Sequence, residues 1–286
     1  MKIFMAKDAG YCFGVRDAVN LAYDTAEKNG DVYMLGHIVH NENVVKDLDT
    51  AGAKVINSLE DIPNKNPILF RAHGTTVETW NDAKAKHINI VDATCPLVLE
   101  IHAEVKKLEA EGRTIIIIGD HGHDEVVGIA SQVKDAIIVS SPDEAKSLRK
   151  MKQAGVVSQS TQTIENVQEI INIIMTKVFD LRFVNTICYP TKRNQSQIKE
   201  LAKQCDVMIV IGSYTSANSK RLTALAKERN AHSFQVTCAN EINPKWLKSA
   251  EIVGVSAGAS TPDNIIDEVL TKIKEIGQVP EETIYG

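Results

Sequence analysis

Three cysteines, Cys12, Cys95 and Cys188, recur at nearly even intervals along this chain of 286 residues. Each lies close behind an apolar stretch that predicts a β-strand. The spacing does not match a local zinc site, whose ligands come in close pairs. It matches three similar units arranged around one point, each supplying a single thiolate. Three thiolates would leave a cubane iron–sulfur cluster with one iron lacking a protein ligand, and that iron could act as a Lewis acid.

The cysteines could instead be buried core thiols, because cysteine is among the most buried residue types. The repeated position of three of them, beside polar loops, favours the ligand interpretation. Cys205 opens a predicted strand and Cys238 follows one, so neither shares the pattern. We assign both to structural packing.

Short β-rich runs alternate with amphipathic helical patterns from end to end, which is typical of an α/β fold with parallel sheets. Strands are predicted at 32–35, 68–71, 88–91, 114–118, 136–139, 155–158, 182–184, 207–211, 233–236 and 252–255. A helix is predicted over 96–111, with a first-turn proline at Pro96 and Gly112 past its end. For the last helix, Thr261 is the predicted cap and Pro262 the predicted first-turn residue.

Six predicted strands run directly into polar loops that are rich in small residues. These loops are 36–41, 72–76, 119–125, 159–163, 212–218 and 257–262. In open α/β sheets, ligands bind at the carboxyl ends of strands, where helix N-termini also offer amide donors to anions. Two such loops follow each of the three cysteines. We therefore predict three closely packed α/β lobes of about 90 residues: 13–95, 96–187, and 188–286 together with 1–12.

Composition and charge exclude several classes of protein. The net charge is −5 and no block of like charges occurs, so neither nucleic acid nor an anionic membrane is expected as a partner. The first residues are too short and too charged for a signal peptide, and the apolar run 115–118 is far below membrane-spanning length. An odd number of widely spaced cysteines argues against a disulfide scaffold. We predict a cytoplasmic protein with reduced thiols. Dinucleotide and P-loop motifs do not occur in the sequence.

Three of the eight histidines, His40, His73 and His123, lie in strand-following loops beside Gly or Asn. A single loop histidine is more often a surface residue, but three at equivalent strand ends favour a shared role. Imidazole N–H groups suit a phosphate better than the cluster, because the thiolates already account for the soft metal ligands. A zinc site built from His and Cys remains an alternative.

Ser216, Asn218 and Ser260 lie where loops turn into helices, and Thr163 ends a loop of the same kind. N-capping is the ordinary role of such residues. Capping and anion binding use the same exposed amides, so the two roles can coexist.

Glu125, two residues after His123, is the candidate acid. A solvated surface position is the usual place for a glutamate. As a general acid it would have to hold a proton near neutrality, and burial beside an anionic substrate would favour this by raising its pKa.

Five segments together resemble the family of 4-hydroxy-3-methylbut-2-enyl diphosphate reductase, the LytB-type iron–sulfur reductases. They are 9–15 (AGYCFGV), 92–96 (DATCP), 122–125 (GHDE), 160–163 (STQT) and 257–263 (AGASTPD). The resemblance runs in order over essentially the whole chain, and the set is far more specific than any one segment.

The resemblance implies a three-lobed α/β monomer with pseudo-threefold symmetry around a central [4Fe–4S] cluster, one per chain. It places the cluster ligands on Cys12, Cys95 and Cys188. It places the proton-delivery pair on Glu125 and Thr163. The substrate-binding residues that it implies are His40, His73, His123, Thr163, Ser216, Asn218 and Ser260.

Two positions depart from the family pattern. Some relatives have a second Ser where this chain has Ala217, so one hydroxyl contact to the diphosphate is absent here. Ile164 stands where some relatives have another Thr. Neither change touches the cluster ligands or the acid.

The function implied by the resemblance is reductive dehydroxylation of an allylic diphosphate to isopentenyl and dimethylallyl diphosphate. This is the last step of the methylerythritol phosphate route to isoprenoids. Iron would polarise the C–O bond, the cluster would pass electrons one at a time, and Glu125 would supply a proton through Thr163. Since the chain shows no flavin or nicotinamide motif, electrons are expected from a separate carrier of the flavodoxin or ferredoxin type. Two alternatives remain: an iron–sulfur redox sensor that binds a regulatory anion, and a zinc hydrolase that acts on a phosphoester.

Overall fold

Strands and helices alternate along the computed structural model, which describes residues 1–63, 66–278 and 284–285. The strands are β1 (Lys2–Met5), β2 (Val32–Leu35), β3 (Ala53–Ile56), β4 (Ile68–Phe70), β5 (Ile90–Asp92), β6 (Thr114–Ile118), β7 (Ala136–Val139), β8 (Met151–Ser158), β9 (Val178–Phe183), β10 (Val207–Ile211), β11 (Ser233–Val236), β12 (Ile252–Ala257) and β13 (Ile284–Tyr285). The helices are α1 (Phe13–Asn29), α2 (Glu42–Thr50), α3 (Val77–Ala85), α4 (Pro96–Ala110), α5 (Asp124–Ala130), α6 (Pro142–Ser147), α7 (Ile164–Ile174), α8 (Tyr189–Gln204), α9 (Ala217–Lys227), α10 (Pro244–Leu247) and α11 (Asp263–Gly277). Within these residues, no helix combines the length and the apolar character needed to span a membrane.

The strands form three parallel sheets, which confirms the predicted α/β class. Their strand orders are β3-β2-β4-β5, β7-β6-β8-β9 and β11-β10-β12-β1-β13. In every sheet the chain forms the second strand of the row before the first. It then crosses over to form the third strand. In the third sheet, β1 from the start of the chain occupies the position that β5 and β9 occupy in the other two, with Lys2 opposite Ile252. One connection pattern is therefore built three times.

The residues group into two compact units. One contains Met1–Val15, His40–Val44 and Tyr189–Gly286, and it holds the five-stranded sheet. The other contains Arg16–Val39 and Val45–Cys188, and it holds both four-stranded sheets. The shared strand order supports the division into three lobes, whose boundaries stay a prediction.

Apolar side chains cover both faces of the sheets. In the sheet built on β6, Ile115 and Ile117 pack with α4 and α5 on one face. Ile116 and Ile118 pack with α6 and α7 on the other. The run 115–118 is therefore buried on both sides, which explains why its isoleucines follow one another without polar alternation.

The polar loops lie where the fold places ligands in open α/β sheets. They follow β2, β4, β6, β8, β10 and β12, as predicted, and these are the second and third strands of each row. The strand order reverses between those two strands, and the carboxyl ends beside such a reversal form a crevice for a ligand. Each sheet therefore presents two candidate binding loops at one crevice.

Some strands were not predicted, and others are longer than predicted. β1 and β3 were not predicted, because each has only four residues. β1 pairs with β12, which is distant in the sequence, and β3 lies at the edge of its sheet. β8 and β9 begin four residues before the predicted starts, in stretches whose polar residues resemble a loop. The predicted capping role of Thr261 is wrong: its hydroxyl donates to the Ile211 carbonyl at 3.0 Å, and Pro262 occupies the capping position.

Candidate functional site

Each candidate ligand cysteine immediately precedes the first residue of a long helix. Cys12 precedes α1, Cys95 precedes α4 and Cys188 precedes α8, and all three are half-buried. The partial positive charge of a helix N-terminus stabilises a thiolate placed there. The same setting for an anionic sulfur ligand is thus present three times.

The backbone of each cysteine is held by a loop that follows the third strand of a sheet row. The hydrogen bonds run from Cys12 N–H to the Ala259 carbonyl at 3.3 Å, from Cys95 N–H to Ala72 at 3.0 Å and from Cys188 N–H to Ser160 at 3.0 Å. The acceptors follow β12, β4 and β8, which are equivalent strands. The three cysteines therefore occupy one structural position repeated three times, although they come from distant parts of the sequence.

The donor chemistry of these residues fits an iron–sulfur cluster. In a cubane cluster each thiolate binds a different iron, so its ligands need not meet on one ion. Among the residues that the structure describes, no three His, Cys, Asp or Glu side chains lie close enough together to hold a single metal ion. Cys205 differs from the three: it lies in an apolar cluster, and burial raises the pKa of its thiol. Its packing role is thereby confirmed.

Glu125 is a buried carboxylate, only 1% exposed, in the first turn of α5. Its Oε1 accepts from the Ser160 N–H at 2.5 Å, and its Oε2 accepts from the Ser160 hydroxyl at 2.8 Å. Buried carboxylates need such donors because they have lost their hydration. The ordinary position of a glutamate, in solvent, is therefore excluded for Glu125.

Ser160 connects the candidate acid to a candidate cluster ligand. Its N–H and hydroxyl donate to Glu125, and its carbonyl accepts the Cys188 N–H. One residue thus anchors both groups. No role is predicted for Ser160 from the sequence pattern, although it lies two residues past the end of β8 and within the segment STQT. Its position at a strand end was the only signal available.

His123 caps α5 and lies against a second candidate histidine. Its Nδ1 accepts from the Glu125 N–H at 3.2 Å. A neutral ring that accepts at Nδ1 carries its proton at Nε2, where it can donate to an anion. The ring of His73 packs edge-on against it, with centroids 5.7 Å apart and planes at 80°. The loops after β4 and β6 therefore bring two predicted binding residues together.

Arg71 is a further charged residue at these loops. Its guanidinium forms an ion pair with Asp124 at 2.5 Å. The same group lies against Gly36, where an added Cβ would be 3.0 Å from Nη1. Arg71 thereby links the loops after β2 and β4 to the start of α5. Sequence reasoning missed it because one arginine at a strand end resembles an ordinary surface residue.

Thr163 caps α7, where its Oγ1 accepts from the Asn166 N–H at 3.3 Å. Its hydroxyl proton can still be donated, because that contact uses only a lone pair. The described contacts of the Glu125 carboxylate are with Ser160, so the pairing of Glu125 with Thr163 stays a prediction.

Ser216 and Asn218 lie at the start of α9 in the other unit. The Ser216 hydroxyl accepts from the Ser219 N–H at 3.3 Å, which confirms the predicted cap. Asn218 is buried, and its Nδ2 has no hydrogen-bond partner among the described residues. An unmade hydrogen bond at a buried amide is unfavourable. This donor is therefore suited to receive an anionic oxygen.

Ser260 and His40 contact each other in the same unit. The Ser260 hydroxyl donates to the His40 carbonyl at 3.2 Å. α11 begins only at Asp263, so Ser260 lies in the loop and does not cap the helix. The contact brings together the loops after β2 and β12.

Comparison with known proteins assigns the chain. The family model described as LytB protein matches residues 3–274. The chain belongs to the LytB family. The matched span includes all three cysteines and every candidate binding residue named above.

Two curated relatives are similar to this chain over almost its whole length. The 4-hydroxy-3-methylbut-2-enyl diphosphate reductase of Geobacter metallireducens is 42% identical over 277 residues, which are 96% of this chain and 98% of the relative. The enzyme of the same name from Geobacter sulfurreducens is 41% identical over 276 residues, with the same two coverages.

Two solved structures share the fold. One is (E)-4-hydroxy-3-methyl-but-2-enyl diphosphate reductase, described as the terminal enzyme of the non-mevalonate pathway. It has a TM-score of 0.72 at 34% identity and covers 96% of this chain and 100% of its own. The other is the E-1-hydroxy-2-methyl-but-2-enyl-4-diphosphate reductase of Plasmodium falciparum, with a TM-score of 0.93 at 26% identity over 99% of this chain and 92% of its own.

Proposed function

We propose that this chain is a 4-hydroxy-3-methylbut-2-enyl diphosphate reductase that forms isopentenyl and dimethylallyl diphosphate. This is the last step of the methylerythritol phosphate route to isoprenoids. The names of its full-length relatives support the assignment. The observation in this chain that carries the chemistry is the pair of hydrogen bonds from Ser160 to buried Glu125, together with the bond from Cys188 to Ser160.

Cys12, Cys95 and Cys188 are the proposed ligands of one [4Fe–4S] cluster per chain. Their half-buried positions at three helix N-termini support this assignment, because each favours the thiolate form that a cluster requires. When bound, such a cluster supplies single electrons and an iron with an open coordination position.

The diphosphate is assigned to seven hydrogen-bond donors: His40, His73, His123, Thr163, Ser216, Asn218 and Ser260. The unpartnered Nδ2 of Asn218 and the Nε2 proton of His123 support the assignment, since both can donate to phosphate oxygens. Helix N-termini would add to the binding of the anion.

Glu125 is the proposed proton donor, with Thr163 as the relay. The allylic C–O bond breaks, the oxygen leaves as water after taking one proton, and a second proton adds to carbon. Two electrons balance the reaction. They are expected from an external carrier of the flavodoxin or ferredoxin type. The two hydrogen bonds from Ser160 fix the carboxyl group, so its orientation is set before substrate arrives. We propose that the protein works in the cytoplasm as a monomer.

An anaerobic turnover assay tests this function. Purified protein is mixed with the allylic diphosphate and a reduced carrier, and the five-carbon products are quantified. We expect consumption of substrate and formation of both isomers. If protein that contains the cluster leaves the allylic diphosphate unconsumed, the result would contradict the proposal and favour the redox sensor.

A further inference from the structure

The segment His40–Val44 is tied to the loop after β12 by the side chain of Asn41. This residue is buried, with 3% of its surface exposed. Its Oδ1 accepts from the N–H groups of Asn43 at 3.1 Å and Val44 at 3.3 Å, which caps α2. Its Nδ2 donates to the Ser260 carbonyl at 2.8 Å. One amide therefore both starts a helix and holds the loop that contains Ser260.

Glu42, the next residue, ties the same segment to the loop after β10. Its Oε1 accepts from the Ser213 hydroxyl and from the Thr215 hydroxyl, each at 2.9 Å. The two hydroxyl oxygens also lie 2.8 Å apart, but each has only one proton. The charged carboxylate is the stronger acceptor, so both protons point at Glu42. The Ser213 oxygen additionally accepts the Thr215 N–H at 3.0 Å, a local turn within the loop.

The three tied segments carry all the diphosphate contacts proposed for this unit. His40 adjoins Asn41, and Ser216 follows Thr215 directly. The backbone carbonyl of Ser260 accepts the hydrogen bond from Asn41. The two side chains thus set the spacing between donors that must meet one anion. Donors fixed in advance bind an anion more tightly, because less conformational freedom is lost on binding.

The Asn41 contact holds the loop of Ser260 independently of the Ser260 hydroxyl. That hydroxyl has one proton and donates it to the His40 carbonyl. To donate to a phosphate oxygen it must release this carbonyl. The bond from Asn41 to the Ser260 carbonyl does not involve the hydroxyl, so it can keep the two loops together during the exchange.

We infer that Asn41 and Glu42 are positioning residues for diphosphate binding, acting by holding the loops that contain His40, Ser216 and Ser260. The inference rests on the proposed function, because it takes the substrate contacts from there. Neither side chain is assigned a contact with the substrate.

Three variants of the holoprotein test the inference. Asn41→Ser keeps a good helix cap but is too short to reach the Ser260 carbonyl. Glu42→Ala removes the acceptor, while Glu42→Gln removes only the charge and keeps an acceptor oxygen. Binding of inorganic diphosphate is measured by calorimetry, and KM and kcat are measured with the allylic diphosphate. Asp49→Ala, an exposed acid on the same helix, is the matched control.

We expect Asn41→Ser and Glu42→Ala each to raise Kd and KM about tenfold, with kcat at saturation changed less than about twofold. Glu42→Gln should stay within about threefold of the wild type. Hydrogen exchange at 40–44 and 213–216 should be faster in the two damaging variants, with circular dichroism unchanged.

Wild-type Kd and KM in Asn41→Ser and Glu42→Ala would overturn the inference. Tighter binding in both Glu42 variants would also overturn it, since this would mean that the carboxylate acts only by repelling the diphosphate. If the wild type itself binds neither probe, the proposed function fails, and the inference fails with it.

Discussion

At the scale of single residues, the shared anchor at Ser160 has the clearest consequence for chemistry. Reduction of an alcohol needs a proton at the leaving oxygen when electrons arrive. A carboxyl held by two donors from one residue cannot swing away from its position without breaking both bonds. The carbonyl of the same residue accepts the Cys188 N–H, so Ser160 connects the proposed proton source to a proposed metal ligand.

Glu125→Gln removes the acidic proton and preserves the size of the side chain. The amide oxygen can still accept one bond from Ser160, so the fold should persist. We expect kcat to fall by about 10²-fold or more, with iron content and diphosphate Kd unchanged. Steady-state kinetics with a parallel calorimetric titration measures this. Near-normal turnover would remove the acid role.

Ser160→Ala tests the anchor itself. The variant loses the hydroxyl bond to Glu125 but keeps the two backbone bonds. We expect about a tenfold fall in kcat at unchanged iron content. Ser196→Ala, at an exposed serine of α8, is the control. Equal activities in the two variants would show that the hydroxyl does not position the acid.

Ala217→Ser introduces a hydroxyl at a position where this chain departs from the family pattern that the resemblance implies. The position is the first residue of α9, between Ser216 and Asn218. A hydroxyl there can donate to the diphosphate, so we expect Kd for inorganic diphosphate to fall by about threefold. Unchanged or weaker binding in calorimetry would mean that this position does not face the anion.

At the scale of elements, α4 follows Cys95 and also supports the loop after β4. Its buried residue His102 lies against Gly74, where an added Cβ would be 3.0 Å from Cε1, and near Gly128 of α5. Burial, reinforced by the nearby Lys106, lowers the pKa of His102 to about 4. A neutral imidazole therefore fills the space beneath the loop that carries His73.

The lowered pKa of His102 predicts a pH dependence of stability. The pKa is about 4 in the fold and 6.5 for the ordinary side chain, so the unfolded chain binds the extra proton between these values. The contribution of His102 to the free energy of unfolding is therefore most favourable above pH 6.5. It declines as the pH falls towards about 4. On going from pH 7 to 5.5, the wild type should lose about 1 kcal/mol of unfolding free energy more than His102→Gln. Urea unfolding measures this, with His121→Gln as an exposed control. Parallel pH curves for the wild type and His102→Gln would contradict it.

Features that depend on neighbouring residues could be predicted from the sequence, whereas features that depend on contacts between distant segments could not. Buried strands such as β6 and the polar loops after them carry local signals, so their positions were correct. β1 was missed because its partner, β12, lies at the other end of the chain. The roles of Ser160 and Arg71 were missed for the same reason: each depends on a contact between separate loops. The caps at Thr163 and Ser216 were predictable because capping is local.

At the scale of the whole molecule, the repeat is the organising feature. Each of the three sheets contains one row of four strands with the same order, and in each a cysteine follows the strand in the fourth position. In the third sheet that strand is β1, so the two ends of the chain complete one repeat together. This supports the proposed lobe of 188–286 with 1–12. The three proposed cysteine ligands fall at equivalent places in this threefold repeat, and a cubane held by them would have a fourth corner without a protein ligand.

Iron and acid-labile sulfide, counted per chain in anaerobically purified protein, test this account most directly. We predict about four irons and about four sulfides in the wild type and in Cys238→Ser, with far fewer in Cys12→Ser, Cys95→Ser and Cys188→Ser. One zinc per chain without sulfide, or an iron content that survives the loss of any of those three cysteines, would contradict it.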